Sequence, residues 1–318
     1  MTLFLHIIIF LGSCLLLAIS GKWLIEAMSR IGVCLKLKEF VLSFFIIGIG
    51  ATIPNLIIGV ISALNKIPQL SFGDVIGSNI FDISIVIGLA ALISRGGLSS
   101  SSRTVQGSSI FIIIIALLPL LLIIDGTLSR IDGILLLLGF IIYTSWLFSK
   151  KDRFTKIYDN LPQKPSLKEI IKDFIVIIIV LFLLFLGSQG IVKSAIFFYQ
   201  AFQLPLELIG IFVVAIGTCM PETVFSLQAA RKGQDWMILG NQMGNVAITS
   251  TFILGIVSLI TPIKIADFEP FAIARLFLII ATISFFFFLK TGQKITKREG
   301  LFLIGVYIVF LIVEILTK

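Results

Sequence analysis

Residues 47–93 read IGIGATIPNLIIGVISALNKIPQLSFGDVIGSNIFDISIVIGLAALI, and residues 214–260 read VAIGTCMPETVFSLQAARKGQDWMILGNQMGNVAITSTFILGIVSLI. The two segments align without a gap at a constant offset of 167, and they share glycines and prolines at Gly50/Gly217, Pro54/Pro221, Gly73/Gly240, Gly77/Gly244 and Gly88/Gly255. Each copy interrupts an apolar helix pattern with glycine and proline and then places polar residues at the break. Paired broken apolar segments in the two halves of a chain are typical of the binding site of a secondary transporter.

The composition of the 318-residue chain places it in the membrane. It is 58% hydrophobic and only 13% charged, with a mean hydropathy of +1.13, whereas a soluble domain carries about 25% charged residues. A membrane-spanning helix needs about 20 apolar residues. The sequence offers ten such runs, at 3–28, 38–64, 70–94, 107–124, 128–149, 170–198, 204–230, 236–261, 270–290 and 299–317. It therefore predicts an all-α polytopic membrane protein of about ten transmembrane helices.

The stretch 150–169 is the one extended connection between apolar runs, and it is basic. It divides the chain into a first five-helix repeat, 1–149, and a second, 170–318. Because each half holds an odd number of spans, the second should insert upside down, so that the two copies meet at the bilayer midplane. The excess of lysine and arginine on one set of loops puts 150–169 in the cytoplasm and both termini outside. We expect a plasma-membrane location, and we ascribe the net charge of +8 to this topology rather than to nucleic-acid binding.

Two acidic residues, Asp82 and Glu222, lie well inside apolar segments. A carboxylate at mid-membrane costs about 2.5–3.5 kcal/mol, so a bound cation, a proton or a basic partner should offset it. Oxygen ligands, which Ca²⁺ takes in sets of six to eight, are available nearby. The candidates are the hydroxyls of Thr52, Ser78 and Thr218, the amides of Asn55 and Asn245, and the carbonyls near Gly48 and Ala215.

Other kinds of site are disfavoured by the residue types present. His6 is the only histidine and the three cysteines are scattered, which argues against zinc or copper and gives no reason to expect a prosthetic group. Asp74 and Asn241 occupy equivalent positions near predicted helix starts, and we interpret them as caps or packing residues.

The motifs resemble the α-repeats of the cation/Ca²⁺ exchanger superfamily, with the pattern G-T-S-x-P-E followed by G-N-x-x-G-S-N-x-x-N/D. The second copy has Gly217–Glu222 as GTCMPE and Gly240–Asn245 as GNQMGN, and the first has GATIPN and GDVIGSNIFD. The resemblance implies one central cation site between the repeats, with spans one and six sliding past it. The departures from the pattern that bear on the site are at Asn55, Asn245 and Thr249, and Thr249 joins the predicted site as the counterpart of Asp82.

The resemblance implies a secondary-active antiporter that moves Ca²⁺ in exchange for Na⁺ or H⁺. Because only Asp82 and Glu222 remain of the family's usual carboxylates, an antiporter of monovalent cations and a transport-inactive or channel-like relative stay open as alternatives. We expect no enzyme: Ser71-Phe72-Gly73-Asp74 lacks the first glycine of the aspartyl-protease motif, and no Ser–His pair is evident. The expected partners are the transported cations and the lipid bilayer. The coupling ion and the oligomeric state are not fixed by the sequence.

Overall fold

The computed structural model describes residues 2–34, 48–101, 103–149, 167–265 and 269–317. It consists of helices joined by short connections, which confirms the all-α polytopic fold. In chain order the helices are α1 Thr2–Cys34, α2 Gly48–Leu64, α3 Pro68–Ile93, α4 Arg103–Leu122, α5 Arg130–Ser149, α6 Leu167–Phe202, α7 Leu206–Thr218, α8 Met220–Arg231, α9 Asp235–Ile260, α10 Glu269–Lys290 and α11 Lys297–Leu316.

Within the described ranges, eight helices are long and apolar enough to cross a membrane, and the pair α7 and α8 counts as a ninth span bent by 44°. The bend lies just before Pro221, whose ring cannot donate the next helical hydrogen bond. The predicted interruption of the second copy is therefore present. The predicted second span, 38–64, is described only from Gly48, because residues 35–47 lie outside the described residues.

The first copy differs from the expectation of an interrupted helix. The helix α2 runs from Gly48 to Leu64 with Pro54 inside it. The hydroxyl of Thr52 donates to the carbonyl oxygens of Gly48 and Ile49, at 3.0 and 3.1 Å. The carbonyl group that Pro54 leaves without a helical donor is that of Gly50, and the helix nevertheless continues to Leu64.

The long helices α3 and α9 are locally widened into π-helical turns at corresponding places. The turn in α3 covers Asp82–Val86, and that in α9 covers Ile248–Ile253. An offset of 167 carries the first onto 249–253, so the duplication extends to this irregular feature. Single π-turns within α-helices occur mostly at functional sites, where they re-aim side chains.

Two very short antiparallel sheets join connections between the helices of the two halves. Strand β1, Leu98–Ser99, pairs with β4, Lys294–Ile295, and strand β2, Thr127–Leu128, pairs with β3, Ile263–Lys264. The first sheet follows the C-terminal end of α3, whereas Gln69 in the first turn of α3 donates to the carbonyl of Lys264 at 2.9 Å. A helix of 26 residues is about 39 Å long, so the sheets lie at opposite ends of α3. The offset of 167 carries β2 onto β4, as an inverted repeat requires.

The helices differ sharply in burial. The membrane windows of α3 and α9 are each 78% buried, whereas those of α1 and α6 are only 17% and 22% buried. The repeat helices α3 and α9 therefore form the centre of the molecule, and α1 and α6 lie at its edge. A large exposed apolar surface on α1 and α6 is what lipid contact demands.

The edge helices α1 and α6 pack against each other over a long interface. Gly187 of α6 sits against the side chain of Leu17, and small residues of this kind let helix backbones approach closely in a membrane. At the end of this interface Arg30 forms a two-pronged ion pair with the buried carboxylate of Asp173, with N···O distances of 2.6–3.1 Å. Its hydrogen bonds to Asp173 raise the pKa of Arg30 above its usual value.

Candidate functional site

Three carboxylates lie fully buried at the centre of the molecule. Asp74 and Asp82 project from α3 and Glu222 from the first turn of α8, and each has a relative exposure of 0%. The ion pairs found among the described residues are Lys22–Glu26 and Arg30–Asp173, so none of the three carboxylates is neutralised by a basic side chain there. Three uncompensated acids in the interior demand another source of positive charge.

Asp74 accepts hydrogen bonds from both halves of the chain. Asn55 Nδ2 on α2 donates to Asp74 Oδ2 at 3.1 Å, and Thr218 Oγ1 on α7 donates to Asp74 Oδ1 at 2.9 Å. The interpretation of Asp74 as a helix cap is wrong, because α3 begins at Pro68 and Ile67 occupies the cap position. Asp74 lies in the second turn instead, where it faces the centre.

Asn241 is likewise not a cap. Helix α9 begins at Asp235 with Gln234 at the cap position, so Asn241 also lies in the second turn. Its side chain is fully buried, and neither Oδ1 nor Nδ2 has a hydrogen-bond partner. A buried amide without partners is costly, at about 1–3 kcal/mol for each unpaired group, which points to a ligand rather than to packing.

Asp82 and Glu222 leave carboxylate oxygens free. Asn245 Nδ2 on α9 donates to Asp82 Oδ2, while Asp82 Oδ1 and both oxygens of Glu222 have no hydrogen-bond partner. The structure thus brings Asp82 together with Asn245 across the two repeats. Unpaired buried polar atoms are uncommon in native proteins, and each one calls for a specific explanation.

Six side-chain oxygens in this region are buried and unpaired. They belong to Asn55, Asp82, Glu222 (both oxygens), Asn241 and Asn245. The number and type match the six to eight oxygen ligands that Ca²⁺ takes. In this conformation no three Asp, Glu, His or Cys side chains among the described residues converge into a metal-binding group. A cation held here would therefore depend on amide oxygens as well as on carboxylates.

The predicted hydroxyl and carbonyl ligands are bonded to one another. Thr218 Oγ1 donates to the carbonyl oxygen of Ala215 at 3.1 Å as well as to Asp74, and Thr52 donates to that of Gly48. Ser78 Oγ donates to the carbonyl oxygen of Val75 at 3.1 Å. The hydroxyl oxygens retain lone pairs for a cation, whereas the carbonyl oxygen of Ala215 already accepts hydrogen bonds from both Cys219 N and Thr218 Oγ1.

Thr249 belongs to a polar network that the sequence did not indicate. Its hydroxyl donates to Asn79 Oδ1 at 3.0 Å and to the carbonyl oxygen of Asn245 at 2.8 Å. Asn79 Nδ2 in turn donates to Ser250 Oγ at 2.8 Å. The network ties α3 to α9 beside Asp82 and Asn245, which positions the carbonyl and side chain of Asn245.

The two copies carry one acid and one amide each at equivalent positions, but in reversed order. The offset of 167 aligns Asn55 with Glu222 and Asp74 with Asn241. The first copy has its amide on α2 and its acid on α3, and the second has the acid on α8 and the amide on α9. Asp74 therefore restores the charge that Asn55 lacks. Reading the two copies against each other at these positions would have revealed this exchange.

Helix α1 covers the break in the second repeat. A Cβ atom added at Gly21 would lie only 2.7 Å from Cβ and Cγ of Pro221, next to Glu222. Beside this contact, a cleft of about 340 Å³ runs between α1 and α8, and its lining includes Pro221, Glu26 and Lys232. The lining of the cleft extends along α8 from Lys232 to Pro221, the residue before Glu222.

Comparisons with known proteins cover nearly the whole chain. The family described as sodium/calcium exchanger protein matches residues 5–149 and 172–316. An uncharacterized membrane protein of Methanocaldococcus jannaschii is 28% identical over 301 residues, which cover 94% of this chain and 95% of the relative. The sodium/calcium exchanger MaX1 of Methanosarcina acetivorans is 24% identical over 330 residues, which cover 92% and 93%. A solved structure of the sodium–calcium exchanger NCX_Mj, soaked with Na⁺ and Sr²⁺, superposes with a TM-score of 0.71 at 26% identity, covering 97% of this chain and 98% of that one.

Proposed function

Because the chain belongs to the sodium/calcium exchanger protein family, we propose that it moves Ca²⁺ through a membrane in exchange for Na⁺ or H⁺, at a midplane site between its two repeats. The resemblance inferred from the motifs is confirmed by the family match. The class of cation/Ca²⁺ antiporter follows from it, and the alternatives of a monovalent-cation antiporter and of an inactive or channel-like relative are not favoured.

The observation that carries the proposal is the set of unpaired, buried oxygens around Asp82 and Glu222. Two carboxylates neutralise one divalent cation, and the amide oxygens of Asn55 and Asn245 would add neutral ligands. In this assignment Thr52, Ser78, Thr218 and Thr249 and the carbonyls of Gly48 and Ala215 hold the ligands in place or complete the coordination. A bound Ca²⁺ ion offsets the desolvation cost of the buried carboxylates. Without a bound cation that cost is not offset, which disfavours the change of access from one side of the membrane to the other.

Asp74 supplies the third negative charge. Its oxygens accept hydrogen bonds from Asn55 and Thr218, which favour the charged form of the carboxyl group. The site then offers three carboxylates to the returning ions. In the exchange step, up to three protons or three Na⁺ ions neutralise these carboxylates. The site is therefore compatible with either H⁺ or Na⁺ as the coupling ion.

The family is one of transporters, in keeping with the expectation that the protein is not an enzyme. The apolar helices make it a multi-pass membrane protein. We propose a plasma-membrane location with both termini outside. Arg95, Arg231 and Lys294, which the excess of basic loops assigns to the cytoplasm, line one pocket and so lie on one face. The loop 150–169 falls mostly outside the described residues, and the oligomeric state is untested.

The proposal is tested by ⁴⁵Ca²⁺ uptake into liposomes containing the purified protein. An outward Na⁺ gradient and an outward H⁺ gradient are imposed separately. We expect uptake with one of the two gradients, and the gradient that drives it names the coupling ion. The Asp82→Asn variant should lose this uptake, while Asp132→Asn, which removes an aspartate that caps α5 outside the site, should keep it.

Two results would contradict the proposal. One is an absence of uptake under both gradients from protein that elutes as a folded, monodisperse species. The other is gradient-driven uptake by Asp82→Asn at the wild-type rate.

A further inference from the structure

A second polar cavity, of about 610 Å³, lies at one end of the helices, away from the buried carboxylates. It forms where three connections meet: the segment after α3, the turn between α8 and α9, and the hairpin between α10 and α11. These connections contribute four basic side chains to its wall, Arg95, Arg231, Lys232 and Lys294.

Among the described residues, the positive charge of this cavity is only partly balanced by acidic side chains. Asp235 is the one acid in its wall, and its carboxylate accepts hydrogen bonds from Ser99 N at 3.0 Å and from Ser94 Oγ at 3.3 Å. The ion pairs among the described residues do not include any of the four basic side chains. Four cations and one carboxylate leave an excess of three positive charges around one cavity.

Three glycines, Gly96, Gly97 and Gly233, lie in the wall of the cavity. Gly97 and Gly233 both adopt left-handed backbone conformations, with φ of +82° and +69°, which residues with a side chain rarely adopt. Gly96 lies beneath the side chain of Lys294, where an added Cβ would be 3.3 Å from Nζ. The backbone at Gly233 is open to a ligand, because no atom lies within 4 Å of an added Cβ, whereas an added Cβ at Gly97 would lie 2.3 Å from the carbonyl oxygen of Ile295.

The inverted repeat supplies an internal comparison. The offset of 167 relates the four basic residues to positions on the opposite face that carry no charge, namely Pro262, Leu64, Asn65 and Thr127. The opposite face has basic residues of its own, such as Lys264, but at these four equivalent positions it is closed without a charged side chain, so packing at these positions does not require one. The preference for basic loops in the cytoplasm accounts for an excess of charge on this face. It does not account for the convergence of four basic side chains from three connections on one glycine-walled cavity.

We propose that this basic pocket binds the phosphate group of an anionic ligand, either a phospholipid headgroup or a small soluble phosphorylated molecule. Arginine offers paired donors that match the oxygens of a phosphate, and lysine adds point charge. Basic pockets at the cytoplasmic ends of membrane helices bind anionic headgroups in this way. The pocket joins the ends of α3, α8 and α9, the helices that carry Asp82, Glu222 and Asn245. Its occupant therefore holds together the ends of the helices that form the cation site.

The test measures thermal unfolding of the purified full-length protein in a neutral detergent. The probes are dioctanoyl phosphatidic acid, inorganic pyrophosphate and, as the zwitterionic reference with no net charge, dioctanoyl phosphatidylcholine. A ligand that binds only the native protein raises its stability. We expect phosphatidic acid to raise the melting temperature in a saturable manner, and phosphatidylcholine to have no such effect. A matching rise with pyrophosphate identifies a site for soluble phosphates, and its absence identifies a lipid site.

Two double variants locate the site. Arg95→Gln with Arg231→Gln removes two charges from the pocket, and Lys297→Gln with Arg298→Gln removes two exposed charges from the same end of the molecule outside it. We expect the first to weaken binding of the anionic probe by roughly tenfold or more and the second to leave it unchanged. Each double variant must have the melting temperature of the wild type when no probe is present. If a double variant is less stable than that, its two single variants are tested in its place. Equal losses in both double variants, or no stabilisation of the wild type by either anion, would overturn the proposal.

Discussion

Replacing Glu222 by glutamine should abolish Ca²⁺ binding without harming the fold. Both oxygens of Glu222 are buried and have no hydrogen-bond partner, so the protein itself gains nothing from its charge. Glutamine has nearly the same shape and removes the charge. The metal-free variant should therefore be at least as stable as the metal-free wild type, because an uncompensated buried charge is lost.

The size of the effect on binding follows from the burial of the site. Removing one partner of a buried, desolvated charge pair costs about 3 kcal/mol, which corresponds to roughly 150-fold in affinity. At a Ca²⁺ concentration of about 100 times the wild-type Kd, binding stabilises the wild type by about 2.7 kcal/mol. The same concentration is then below the Kd of the variant, which leaves about 0.3 kcal/mol of stabilisation.

The assay is thermal unfolding with and without Ca²⁺, with Glu314→Gln as the matched control. Glu314 is also a buried glutamate, but it lies near the end of α11 and is not among the charges that act on Glu222. The control should keep the full Ca²⁺ stabilisation. The reasoning is refuted if Glu222→Gln is stabilised by Ca²⁺ as strongly as the wild type, or if its metal-free form unfolds at a much lower temperature.

Three further substitutions probe the surroundings of the site. Asp74→Asn should lower ⁴⁵Ca²⁺ uptake about tenfold or more, since it removes one of three charges while keeping an oxygen for its hydroxyl donor; uptake at the wild-type rate would exclude a part for this carboxylate. Gly21→Leu should slow uptake but preserve Ca²⁺ stabilisation, because the new side chain meets the ring of Pro221 and hinders the approach of α1; a loss of binding instead would place Gly21 in the site. Arg30→Gln should destabilise the protein by only about 1–2 kcal/mol, because the arginine side chain is half exposed. Adding Asp173→Asn should recover part of this loss in thermal unfolding, whereas additive losses would exclude a coupled pair.

The fold could be predicted from the sequence because a bilayer permits few backbone structures. Backbone groups in lipid must be satisfied within a helix or a closed barrel, so apolar runs of about 20 residues have one common outcome. The duplication at an offset of 167 then located the two corresponding halves. The continuous course of α2 past Pro54 was not predictable, because a proline inside an apolar run can either break a membrane helix or be accommodated within it.

The site was only partly predictable, for a physical reason. Asp82 and Glu222 are conspicuous as charges within apolar runs, whereas Asp74 looked like a helix cap. Its role depends on Thr218 arriving from α7, a contact 144 residues distant in the chain. The two-residue strands were also beyond prediction, since two residues show no alternation of apolar and polar side chains.

The most direct test of a cation site between the two repeats is an anomalous difference map from crystals of this protein soaked in Sr²⁺, a heavier substitute for Ca²⁺. We predict one strong peak coordinated by carboxylate oxygens of Asp82 and Glu222, at distances near those of about 2.3–2.6 Å typical of Ca²⁺. The peak should vanish in Glu222→Gln crystals soaked in the same way. A map with no peak between α3 and α8, or a peak that persists there in the variant, would contradict the account.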